Sequence, residues 1–119
     1  MKKCVVLVLI LFTAFVNAET GYLKGKIEYV RIHDKSIHTS VWMPPVFWFT
    51  LEGVNKAGTC PIWGENVLFV MDTEQAYSMV IAAYMAEKEV SIRFDDSLLN
   101  PSKFCKATYM TLGSPPPLK

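Results

Sequence analysis

The sequence predicts a mainly β domain with one helix. Three observations carry that reading. Residues from Leu23 to Ile32 alternate apolar and polar, an apolar repeat of helical spacing is confined to residues 73–88, and four further short apolar runs are separated by Gly, Pro and polar residues.

In the first of these elements Leu23, Gly25, Ile27 and Tyr29 fall on one side, with Lys24, Lys26 and Glu28 on the other. The alternation slips after Tyr29, where Val30 and Ile32 become the apolar positions around Arg31, as a bulge in a long bent strand requires. His33 to Ser40 is polar and loop-like, and Pro44-Pro45 excludes helix before the next run. Val46 to Leu51 is a second strand, apolar on both faces. Gly53, Gly58, Pro61 and Gly64 mark residues 52–64 as a long connection that carries Cys60 and Trp63, and Val67 to Met71 is a third strand.

Asp72 offers an N-cap with Gln75 at capping-box spacing, and Ala76, Met79, Val80, Ala83 and Tyr84 then recur at helical intervals. A helix over Thr73 to Lys88 follows. Val90, Ile92 and Phe94 alternate with Ser91 and Arg93 in a fourth strand, Asp95 to Ser102 read as a turn, and Phe104 to Leu112 form a fifth strand. Consecutive prolines after Gly113 end the domain. The order β-β-β-α-β-β with a long bent first strand is that of a five-stranded oligonucleotide/oligosaccharide-binding (OB) barrel.

Residues 1–18 have the layout of a secretory signal peptide: Lys2 and Lys3, an unbroken apolar run from Cys4 to Phe12, and the small-residue pattern Val16-Asn17-Ala18. A membrane anchor needs about 18 or more apolar residues, so the expectation is cleavage before Glu19 and no stable membrane insertion. Cys4 leaves with that peptide. Cys60 and Cys105 remain, an even count in an oxidising compartment, and a single disulfide between them is expected. The domain then covers residues 19–113, with a flexible Pro-rich tail over 114–119, and the protein is expected to be secreted or periplasmic.

Lys and Arg number twelve against eleven Asp and Glu, and loss of Lys2 and Lys3 tips the balance to the acidic side. Near-neutral charge argues against nucleic acid, which demands a basic face. His33, His38 and Asp34 lack a further ligand at metal-binding spacing, and Asp95-Asp96 lacks the alternating oxygens of a calcium loop. Ser, His and Asp occur in no nucleophile-elbow context. No metal, cofactor or enzymatic activity is expected.

The aromatic residues and the helix carry the functional signal. Trp42, Trp48 and Trp63 are candidate ligand-binding residues. Trp42 and Trp63 lie between strands, and Trp48 is left on the outside if Phe47, Phe49 and Leu51 fill the barrel. On the helix, Tyr77, Ile81 and Met85 form a second apolar flank beyond the core stripe, a candidate oligomer interface.

Four segments then tie the chain to a known group: Gly21-Tyr22-Leu23-Lys24-Gly25-Lys26-Ile27, Phe49-Thr50-Leu51-Glu52-Gly53, Cys60, and Ala83 through Val90-Ser91-Ile92-Arg93-Phe94. In these the sequence resembles the subtilase cytotoxin B subunit-like family of secreted toxin binding subunits. The resemblance implies an OB barrel that assembles into a homo-oligomeric ring and recognises a cell-surface glycan or protein without catalysis. That family's sugar pocket uses a serine in the first strand and a tyrosine in the strand after the helix, positions that match Lys24 and Phe94 here, so the fold and role carry over and the pocket does not. A monomeric secreted inhibitor or regulator that binds one protein partner is the alternative expectation.

Overall fold

The computed structural model describes residues 20–34 and 41–113. The expected signal peptide, the 114–119 tail and His38 lie outside the described residues. Six strands and one helix follow in the order β1 (Thr20–Ile32), β2 (Phe47–Leu51), β3 (Ile62–Trp63), β4 (Asn66–Met71), α1 (Glu74–Met85), β5 (Glu89–Leu99) and β6 (Cys105–Leu112). Five of the strands close a barrel in the order β1-β2-β4-β6-β5, which is the OB-like architecture. All pairings are antiparallel except β4 with β6, which run parallel.

The long first strand serves both halves of the barrel: its N-terminal part pairs with β5 through Tyr22↔Arg93 and Lys24↔Ser91, and its C-terminal part pairs with β2 through Val30↔Phe49 and Arg31↔Trp48. The register shifts between Ile27 and Tyr29, so the extra residue is Glu28, one position earlier than the hydrophobic pattern suggests. Tyr29 is thereby turned outward and is 54% exposed, while Val30 packs against the interior. That interior holds Phe47, Phe49, Leu51, Phe69, Val80, Val90, Ile92 and Phe94. Gly21, paired with Phe94, has no Cβ because one would lie 2.7 Å from that ring.

Three local details differ from the sequence expectation. The connection after β2 contains a strand, β3, because Gly64 adopts φ +71° and turns Trp63 back onto Asn66 in a two-residue hairpin. The helix is capped by Thr73, whose hydroxyl accepts from the Ala76 amide at 3.1 Å, and not by Asp72. It ends at Met85, short of Lys88, because Glu87 takes the left-handed conformation and the Glu87 and Lys88 amides turn back to the Tyr84 and Ala83 carbonyls. Finally, β5 runs on through Asp95 to Leu99. The true turn follows at Asn100, whose side-chain oxygen accepts from the amides of Ser102 and Phe104.

One disulfide, Cys60–Cys105, joins the connection after β2 to the first residue of β6. The same connection is held a residue earlier, where Thr59 donates from both its amide and its hydroxyl to Asp96 at 3.0 Å. No helix among the described residues is long and apolar enough to cross a membrane.

Candidate functional site

The strand that follows the bulge places alternate side chains on the outer surface, and Tyr29 and Arg31 both arrive there. Directly opposite Arg31 in the neighbouring strand stands Trp48, and the next strand adds Leu68 and Val70. These side chains form a second apolar cluster, separate from the barrel interior, with Trp42, Val46 and Phe104 packed against its margin.

The β3–β4 hairpin carries Trp63 over this cluster. Its indole centre lies 4.8 Å from that of Trp48 at an interplanar angle of 54°, and the Tyr29 ring meets it edge-on at 6.4 Å. The Arg31 guanidinium carbon sits 4.9 Å from the centre of Trp48 and 5.2 Å from that of Trp63, so the cation rests on both ring systems. Two hydrogen bonds brace the base of the hairpin: the Glu28 carboxylate accepts from the Thr50 hydroxyl and from the Asn66 side-chain amide. The bulge is what allows Glu28 and Tyr29 to share the outer face.

The three tryptophans therefore have different positions. Trp63 is 40% exposed and presents ring surface to solvent. Trp48 does lie outside the barrel interior, but it is only 3% exposed and forms the floor beneath Trp63. Trp42 is half-buried at the edge, between His33 at 5.4 Å and Phe104 at 6.2 Å. Tyr29 and Arg31 complete the face, and neither stands out in the sequence, because their placement depends on a bulge whose position the alternation gives only to within a residue.

The helix flank is less uniform than its spacing. Tyr77 packs edge-on against Phe47 at 5.2 Å and belongs to the barrel. Ile81 is half-buried, and Met85 is 75% exposed at the end of the helix, beside Tyr84 and a groove of about 390 Å³ shared with Lys26 and Glu52.

The described residues bring no three potential metal ligands of the His, Cys, Asp or Glu type together. Asp95 is held below the usual carboxylate range by hydrogen bonds from the Ser97 hydroxyl and amide, a local, exposed contact within the second half of β5. Lys24 pairs with Ser91 on the strand edge-to-edge with β5, and Phe94 is buried in the barrel interior. Comparison with protein-family models finds no match, and neither does comparison with curated proteins or with solved structures.

Proposed function

We propose that the chain is a secreted, non-catalytic binding protein that recognises a cell-surface glycan or protein and works as a homo-oligomer. The observation that carries this reading is the outer aromatic face, where a braced hairpin holds Trp63 above Trp48 with Arg31 and Tyr29 beside it. A rigid aromatic surface left in water is a recognition device more readily than a stabilising one. An apolar leader and a disulfide between the two remaining cysteines support export, and the toxin-subunit resemblance supports a role without chemistry.

Trp63→Ala is expected to abolish ligand signals on a glycan array or on intact cells while costing about 1 kcal/mol of stability, a typical loss for a partly exposed side chain. Retained binding with a large drop in melting temperature would return Trp63 to a purely structural role.

Assembly through the helix end is tested separately. Met85→Glu is expected to convert an oligomer into folded monomers, because an unpaired charge in an apolar interface is costly. Light scattering after size exclusion measures it. The second reading, a monomeric inhibitor or regulator of one protein, draws support from Tyr77, whose use by the barrel leaves Ile81 and Met85 as the rest of the flank. A wild-type monomer at micromolar concentration favours that reading over the ring.

A further inference from the structure

Arg31 carries the positive charge of the aromatic face, and among the described residues it forms no ion pair. Among the described residues no carboxylate lies within ion-pair distance of its guanidinium, and Glu28, on the same face, already accepts from Thr50 and Asn66. Its packing on Trp48 and Trp63 restricts the guanidinium. A planar fork held in this way loses little freedom when it takes up a carboxylate.

The surroundings favour a polypeptide over a sugar. Carbohydrate sites set free hydroxyl and amide groups around a stacking ring, whereas here the Thr50 hydroxyl and the Asn66 amide both donate to Glu28, and the charged group against the Trp63 ring is the Arg31 guanidinium. Trp, Tyr and Arg grouped around a desolvated centre are instead the residues concentrated in protein-binding hot spots. Hairpin bracing adds preorganisation, which lowers the ordering cost of association.

We propose, building on the binding-protein reading above, that this face docks a protein segment presenting an Asp or Glu carboxylate next to an apolar side chain. The carboxylate pairs with Arg31, and the apolar side chain lies against Trp63 and Tyr29. Charge complementarity to a guanidinium that forms no ion pair among the described residues identifies the occupant's chemistry.

The test pans the purified, oxidised protein against a library of random short peptides, with an array of neutral and acidic oligosaccharides run in parallel. Enriched peptides are expected to combine an acidic and an apolar residue. Their affinity should fall at least about tenfold for Arg31→Gln, for Trp63→Ala and for the peptide's own Glu→Gln or Asp→Asn change, as expected for hot-spot groups. Added salt should weaken the wild-type complex and leave Arg31→Gln nearly unaffected. Matching circular-dichroism melts for wild type and Arg31→Gln exclude a folding defect. Peptides without an acid, or bound equally by Arg31→Gln, overturn the proposal. Trp63-dependent signals on the oligosaccharides alone overturn it too, while leaving the binding-protein reading intact. Absence of any Trp63-dependent signal in both arms overturns both.

Discussion

Phe69→Ala is expected to cost the barrel about 3 to 5 kcal/mol, the range for truncating a fully buried aromatic side chain. Phe69 has no exposed surface and sits at the centre of a row of rings, 5.9 Å from Phe49 and 6.2 Å from Phe94. Each of the three rings comes from a different strand, so the void would touch β2, β4 and β5 at once, and closed strands cannot collapse into it freely. Against a total stability of about 5 to 15 kcal/mol for a small domain, this loss leaves the fold marginal. Phe69→Leu should retain clearly more. Urea midpoints with the disulfide intact measure both, and equal midpoints for wild type and Phe69→Ala would remove Phe69 from the centre of the core.

That core was legible in the sequence because alternation and helical spacing report burial directly. Leu23, Ile27, Val80, Val90, Ile92 and Phe94 all follow from period-two or period-3.6 patterns, while Phe47 and Phe49 lie in a run apolar on both faces that marks a strand without choosing its inner side. The elements that were misplaced depend on single backbone conformations that carry little signal. Glu87 ends the helix from a position where glycine is the usual marker, so the chain showed no stop before Lys88. Asp95, Asp96 and Ser97 are turn-forming residues by composition, yet β5 continues through them because barrel closure requires Leu99 to reach Cys105.

The site was legible only in part, for a related reason. Three tryptophans in a short chain announce an aromatic feature, but ring positions follow from tertiary packing. Trp48 became the floor because Trp63 folds over it, and that depends on a two-residue strand created by Gly64. Arg31 gains its meaning from the strand opposite, through its register with Trp48. Tyr77 shows the converse: its spacing matched Ile81 and Met85, while its ring reached Phe47 instead of the surface.

Replacing both cysteines, Cys60→Ala with Cys105→Ala, is expected to remove about 4 kcal/mol, the loop-entropy value for a cross-link closing a loop of this length. The bridged residues are separated by 45 positions, so the oxidised denatured chain is denied a large set of conformations. The location of the bridge adds to its importance. It lands on Cys105, which is also the residue facing Phe69 in the parallel seam between β4 and β6, and that seam is carried by Phe69↔Cys105 and Val70↔Lys106. The ion pair between Lys106 and Asp72 beside it spans 4.0 Å between exposed side chains and contributes little. Without the disulfide, the seam closes against the full entropy of the intervening chain. Hydrogen exchange should therefore rise first around Gly58 to Pro61, between the buried Ala57 and the β3–β4 pairing, where the Thr59–Asp96 hydrogen bonds would be left to hold the connection to the barrel. Urea denaturation of the oxidised wild type and the double variant measures the total. A loss below about 1 kcal/mol would defeat the entropic argument, because it would mean that the denatured chain keeps these segments together without the bond.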